Sequence, residues 1–210
     1  MKLAELTLSQ YLEAMGSDAP APGGGSAAAL CGAQGAALIA MVAGLTIGKK
    51  KYAQYQENCI RIREEAQALL KKLEQQIDRD TEAFNLVASA FKLPKTTDEE
   101  KKIRSAAIQT GTLEATRVPF ETMVLALEAL KLGEGLLAGF NDGAASDLGV
   151  AAWNLRTCVR GAWMNVSINL GSLKDRETGE YYRTRGREIL ETAEKIAGAI
   201  AVHAESVICG

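Results

Sequence analysis

The sequence contains a single histidine, His203, near its C-terminus. A zinc site built on imidazoles is therefore not expected. A Ser-His-Asp triad would depend on that one residue, and nothing around it supports such an arrangement. The four cysteines, Cys31, Cys59, Cys158 and Cys209, are widely separated, with no CxxC pair. They read as reduced thiols in a cytoplasmic protein rather than as metal ligands or a disulfide framework. Aromatic residues make up only 5 % and the net charge is −2, so neither stacking platforms nor a basic surface points to nucleic acid. Before the first long apolar run the only basic residue is Lys2, against Glu5, Glu13 and Asp18, which is not the opening of a secretory signal. Period-two strand patterns, Walker and dinucleotide-binding glycine motifs, internal repeats and low-complexity segments are all lacking.

What is present centres on one stretch. Pro20-Ala21-Pro22-Gly23-Gly24-Gly25-Ser26 forms a loop that no regular element absorbs. From Ser26 to Ile47 there follow 22 residues without a charge, and then Gly48-Lys49-Lys50-Lys51-Tyr52. Ser26 is expected to cap the helix. A helix apolar on all sides is a membrane span or the buried centre of an all-α domain. Ala and Gly dominate this one and Gln34 sits in its middle, so the buried centre is expected and no membrane partner. Its start offers free N–H groups and glycines that let a ligand approach the backbone.

The remaining chain reads as helices. Leu3 to Met15 is expected as one short amphipathic helix, with Leu3, Leu6, Leu8, Tyr11, Leu12 and Met15 on one side. A long helix runs from Tyr52 to about Phe91 with a seam of Leu69, Leu73, Ile77, Phe84, Val87 and Phe91. The seam has one gap, filled by Asp80. Thr97-Asp98-Glu99-Glu100 starts the next helix, which Val118-Pro119 should kink or break before it resumes to Leu132. Asn141-Asp142-Gly143 is a turn. Helices are expected over 144–170 and 182–207. The fold class is all-α: a single domain over 1–210, a multi-helix bundle around a buried small-residue central helix.

Two anomalies mark candidate chemistry. Asp80 occupies a seam position with apolar flanks; a carboxylate there has a raised pKa and can act as a base near neutrality, the alternative being a paired acid at the seam edge. In helix 144–170, Asp147, Asn154, Cys158, Gly161, Asn165 and Asn169 form a polar or small stripe. Asp147 and Asn165 share a face but, 18 residues apart, lie about 27 Å from each other. They serve the two ends of a long ligand or two sites. The asparagines could equally bond helix to helix, Asp147 could cap its own helix, and Lys49, Lys50 and Lys51 could be a solvated helix end. The residues suit metal-free hydrolytic or proton-transfer chemistry on a small ligand.

Taken in order, these pieces resemble the cyclodeaminase/cyclohydrolase family of folate one-carbon enzymes. The matching segments are Pro20 to Ser26, Leu45 to Tyr52, Asp80 with Ala83-Phe84, Val118-Pro119, Asn141 with Ser146 to Ala152, and Gly161-Ala162 with Asn165-Val166-Ile168-Asn169. The resemblance covers essentially the whole chain. It implies an all-α homodimer, a tetrahydrofolate derivative as ligand and no further cofactor. The implied reaction is hydrolysis of 5,10-methenyltetrahydrofolate to 10-formyltetrahydrofolate. Ammonia-releasing ring closure of formimidoyltetrahydrofolate, and folate binding without catalysis, are the alternatives. It further implies Asp80 as general base or cation stabiliser and Lys49 or Lys50 as proton donor or as the partner that keeps Asp80 ionised. Ligand contacts are expected from Pro22, Gly23, Gly24, Gly25 and Ser26 and from Asn141, with the stripe residues Asp147, Asn165 and Asn169 lining the same ligand. The basic cluster could instead attract a glutamate tail.

Overall fold

The computed structural model describes residues 2–210 and contains six α-helices: α1 Leu8–Met15, α2 Gly24–Thr46, α3 Gln56–Phe91, α4 Asp98–Gly135, α5 Ala145–Leu170 and α6 Arg176–Cys209. Short 3-10 turns precede α1 and α3 and connect α4 to α5. There is no strand among the described residues. The all-α reading is the fold observed.

The central helix is α2, flanked by α3 and α5, with α4 packed beneath it and α6 laid on α4 and α5. It is long and apolar enough to cross a membrane, but in the bundle most of its residues face neighbouring helices. Ala29, Ala36, Val42 and Ala43 are wholly buried. Small side chains set the spacing. A Cβ on Gly35 would lie 2.5 Å from Leu155 Cγ and 3.0 Å from the Ala151 carbonyl of α5, so α2 and α5 touch at nearly backbone distance. Both α3 and α5 run antiparallel to α2. Ser26 meets Ile77 at one end of the layer, while Asn141, just ahead of α5, bonds Thr46 at the other.

Three local expectations are corrected. The N-terminal helix is not continuous from Leu3. Leu3–Glu5 is a 3-10 turn, and α1 begins after Thr7, whose side chain and that of Gln10 form a reciprocal capping box. Of the anticipated apolar face, Tyr11 is buried, whereas Leu8 and Leu12 are 65 % and 56 % exposed. Second, Ser26 does not cap α2. The helix begins at Gly24 with Gly23 before it, and the buried Ser26 hydroxyl donates to the Ile77 carbonyl at 2.7 Å instead.

Third, Pro119 does not break α4, which runs unbroken through it to Gly135. Proline lacks the N–H that would bond the carbonyl four residues earlier, which here is that of Ala115. The Asn169 side-chain amide of α5 donates to that carbonyl at 2.8 Å. A side chain from the neighbouring helix thus repairs the ladder at the point where the proline interrupts it. Ion pairs hold the outer helices: Arg79 and Arg117 share Glu121 between α3 and α4, and Arg156 and Arg160 share Glu194 between α5 and α6.

The tight α2–α5 contact makes Gly35 sensitive to a single methyl. Gly35→Ala forces Leu155 and the α5 backbone to shift and should destabilise by about 1–3 kcal/mol, the usual cost of overpacking. Urea denaturation should show a lower midpoint with an unchanged slope.

Candidate active site

The chain forms a cleft of about 410 Å³ where the start of α2, the last third of α3 and the end of α5 converge. Gly23, Gly24 and Gly25 form one wall, Asp80, Phe84 and Val87 of α3 another, and Asn165, Ile168 and Asn169 of α5 the third. The loop before α2 closes the top through Pro20 and Ala21, followed by a cis bond to a buried Pro22. The glycine loop, the seam carboxylate and the far end of the polar stripe thus meet, though they are distant in sequence.

Asp80 is the centre of this cleft, and Gly25 is what admits it. A Cβ at Gly25 would lie 1.9 Å from Asp80 Oδ1, so the carboxylate rests directly on the α2 backbone in the first turn. There it meets the positive end of the helix dipole. Ser26 Oγ lies 3.3 Å from Asp80 Oδ2, 2.7 Å from the Ile77 carbonyl and 3.2 Å from Thr81 Oγ1. A hydroxyl has one hydrogen, and the shortest contact takes it, so Asp80 receives little from this group. Burial pushes the Asp80 carboxyl above the usual carboxylate range, against a weaker downward pull from the Ser26 N–H and hydroxyl. No cation pairs with it among the described residues: the adjacent Arg79 turns away to Glu121 of α4 at 2.7 Å.

The asparagines are half structural. Asn165 Nδ2 donates to the Gly161 carbonyl at 2.9 Å and lies against Gly24. Asn169 Nδ2 donates to the carbonyls of Ala115 and Asn165. With the amino groups engaged on the backbone, each residue keeps its carbonyl oxygen for a ligand. The cleft therefore presents one under-bonded carboxylate, two amide oxygens and apolar surfaces from Phe84, Val87 and Ile168.

Lys49, Lys50, Asn141 and Asp147 do not join this cleft within the chain. The 23 residues of α2 place the two ends of the helix about 34 Å apart at ~1.5 Å per residue. Lys49 and Lys50 are exposed beyond the far end, so in one chain neither can donate a proton at Asp80 or hold it ionised. Asn141 is a turn residue there: its N–H donates to Thr46 Oγ1 at 2.9 Å and its side-chain oxygen accepts from the Gly143 N–H. Beside it, Lys51 pairs with Asp142, and the Tyr52 hydroxyl accepts the Asp142 N–H at 3.1 Å. Asp147 sits half-buried in the first turn of α5, at this same end. The polar stripe is therefore divided between the two ends of the layer. Among the described residues no three His, Cys, Asp or Glu side chains converge as a metal site would require.

The raised pKa of Asp80 has a stability consequence. Below the ordinary carboxylate value both folded and unfolded chains hold the proton and the group is neutral in the balance. As pH rises from there to the raised folded value, the unfolded chain releases its proton first, so stability falls, and it stays lower above that window. Asp80→Asn removes this charge cost. The variant should show a higher Tm than the parent at pH 7 to 8 and a difference that shrinks towards pH 4, read by thermal unfolding across pH.

Comparison with known proteins places the chain. The family model described as formiminotransferase-cyclodeaminase matches residues 7–188. A methenyltetrahydrofolate cyclohydrolase of Methylorubrum extorquens is 41 % identical over 174 residues, 83 % of this chain and 84 % of that protein. The formimidoyltransferase-cyclodeaminase of Rattus norvegicus is 34 % identical over 94 % of this chain, which spans only 37 % of that longer protein. A solved structure, formiminotetrahydrofolate cyclodeaminase from Thermotoga maritima, superposes with a TM-score of 0.80 at 27 % identity, covering 98 % of this chain and 97 % of the other. With the family model spanning most of its length and the same helical bundle in a solved relative, the chain belongs to the formiminotransferase-cyclodeaminase family.

Proposed function

We propose that the protein is a methenyltetrahydrofolate cyclohydrolase, converting 5,10-methenyltetrahydrofolate to 10-formyltetrahydrofolate. The observation that carries this is Asp80: a partly buried carboxylate, facing a cleft, with no cation to pair with it among the described residues. The methenyl bridge between N5 and N10 carries a delocalised positive charge. Bound beside Asp80 it supplies the missing counter-charge, and it draws the carboxylate's pKa back down as it binds. Water then adds to the bridging carbon with Asp80 taking its proton. The tetrahedral adduct collapses with cleavage of the carbon–N5 bond. Its hydroxyl gives up the remaining proton as the formyl C=O forms, N5 takes up one of the two protons that the water brought, and the other is released to solvent. The glycine wall lets a flat ring lie against backbone, and the amide oxygens of Asn165 and Asn169, whose amino groups are engaged on the backbone, would accept from ring N–H groups. The Methylorubrum relative, covered over most of both chains, bears a name that matches this reaction.

A second reading is favoured by the Thermotoga structure, whose name is cyclodeaminase and whose fold this chain shares from end to end. In that reaction N10 attacks the formimino carbon and ammonia leaves. The same carboxylate would serve the same tetrahedral centre, so the site supports either direction of chemistry, and the assay must choose. No metal enters either route as we write it, and the four free thiols fit the cytoplasmic setting we propose.

We also propose a homodimer that completes the site. Along α2 an outward stripe of Leu30, Gln34, Ala37, Met41 and Leu45 is half-buried or exposed. Two copies paired about a two-fold axis near its middle, with their α2 helices antiparallel, would bring the lysine end of one subunit to the Asp80 end of the other. An isologous interface of this kind is the commonest way chains pair. It gives Lys49, Lys50 and Asn141 a place in catalysis that the single chain denies them.

The purified protein should accelerate the loss of methenyl-folate absorbance above the spontaneous rate. Asp80→Asn should lower kcat/KM by at least about a hundredfold, the scale of general-base catalysis. Decay no faster than the blank, with ammonia released from formimidoyltetrahydrofolate, would select the cyclodeaminase; ligand binding with neither activity would leave a binding protein. For the dimer, a mixture of the inactive Asp80→Asn protein with a Lys49→Ala/Lys50→Ala protein should regain part of the parental activity after subunit exchange. No recovery, or a monomer by light scattering, would refute the shared site.

A further inference from the structure

The N-terminal segment contributes a group that the reaction above does not use. Asp78 holds this segment to α3: its carboxylate accepts the Leu3 N–H at 2.5 Å and the Ala4 N–H at 3.4 Å. Helix α1 then lays Tyr11 across the groove between α2 and α3, packed on Ala29 and Ile77. Tyr11 is only 5 % exposed. Its hydroxyl is buried with no hydrogen-bond partner among the described residues. Phenylalanine would fill the same groove without that unpaired group, so the oxygen is retained at a cost to the fold.

The ring packs on Ile77, one turn before Asp80, and on Ala29, one turn after the Gly25 against which Asp80 rests. The charges that act on the phenol are the carboxylates of Asp80 and Asp78 on α3. Glu74 borders the apolar hollow beneath α1. No basic side chain enters this set. Burial, and next the charge of Asp80, push the Tyr11 phenol up to about 12, so the group keeps its hydrogen at any physiological pH and can donate it to an acceptor. Asp78 is already supplied by two backbone N–H groups. Asp80, one turn beyond Ile77, is the acceptor left short.

We propose that Tyr11 is a positioning residue for Asp80: when the carboxylate is charged, the buried phenol donates a hydrogen bond to it, fixing its orientation towards the cleft and favouring its ionised form. The strap of residues 3–15 is thereby part of the active site although it lines none of the cleft. This proposal rests on the reading of Asp80 as the base.

The test is Tyr11→Phe, followed by three measurements on the full chain. Thermal unfolding should give a Tm equal to or above the parent, since a buried unpaired oxygen is removed. The pH profile of kcat/KM for 5,10-methenyltetrahydrofolate should show a loss of about tenfold at neutral pH and an acid limb moved upward by about half a unit or more, because a donor to the charged form has gone. Titration of the Asp80 carboxyl carbon by 13C NMR, which needs no turnover, should show the same upward shift. In an Asp80→Asn background Tyr11→Phe should cost nothing further. An unshifted carboxyl titration with parental kinetics overturns the proposal, as does a loss that simply adds to that of Asp80→Asn. If Asp80→Asn is inactive while Tyr11→Phe behaves as the parent, only the Tyr11 role falls. If Asp80→Asn keeps full activity, the base assignment falls and the Tyr11 role with it.

Discussion

The approach of α3 to the first turn of α2 is the constraint on which the site depends. Gly25 leaves no side chain between the α2 backbone and the Asp80 carboxylate, and Ser26, its neighbour, bonds the Ile77 carbonyl one turn before Asp80. These two residues lock the register of α3 against α2 at the point where the carboxylate must sit. The separation in turn requires small residues further along α2, at Ala29 and Ala36, both wholly buried, and at Gly35 against α5. A central helix of larger residues would hold the neighbours apart and open the Asp80 environment to water. Its carboxyl would then return towards the ordinary range, because desolvation is the main cause of its shift.

The same economy governs Asn169. Pro119 leaves the Ala115 carbonyl without its helical donor, and the Asn169 amide supplies one from α5. That bond also fixes the side chain of Asn169 at the wall of the cleft. A fault in one helix and a wall of the cleft are thus settled by a single side chain. This explains how a proline lies mid-helix without the break that its residue type alone suggests.

Much of this was legible in the sequence because helical periodicity is a local property. The seam of α3 and its exception at Asp80 could be read from spacing alone, as could the apolar character of α2. The errors arose where a distant partner decides a local outcome. Ser26 has the chemistry of a cap, but a carbonyl 51 residues away takes its hydrogen. Pro119 has the chemistry of a breaker, but Asn169 rescues it. By periodicity Tyr11 is one apolar position among six, and its burial near Asp80 depends on the Asp78 anchor 75 residues from Leu3. The only local hint was a polar tip on a face otherwise made of Leu and Met. The grouping of Lys49 and Lys50 with Asp80 came from resemblance. The length of α2, about 34 Å at 1.5 Å per residue, already opposed it for a single chain.

That opposition has a physical use. A general base works best while its carboxylate is partly desolvated and free to take a proton. A lysine fixed beside Asp80 would hold the carboxylate ionised, lower its pKa and weaken it as a base. It would also occupy the position that the cationic substrate we propose would take. With the basic cluster at the opposite end of α2, no lysine of the same chain competes with a cationic ligand for Asp80. In the homodimer we propose, the lysines of a second subunit would approach the ligand from the side away from Asp80. The two roles are then separated by the ligand itself: the carboxylate withdraws a proton on one side while the ammonium group offers one to the leaving nitrogen on the other. A single chain with both groups in contact would satisfy its own charges and bind the cation less well.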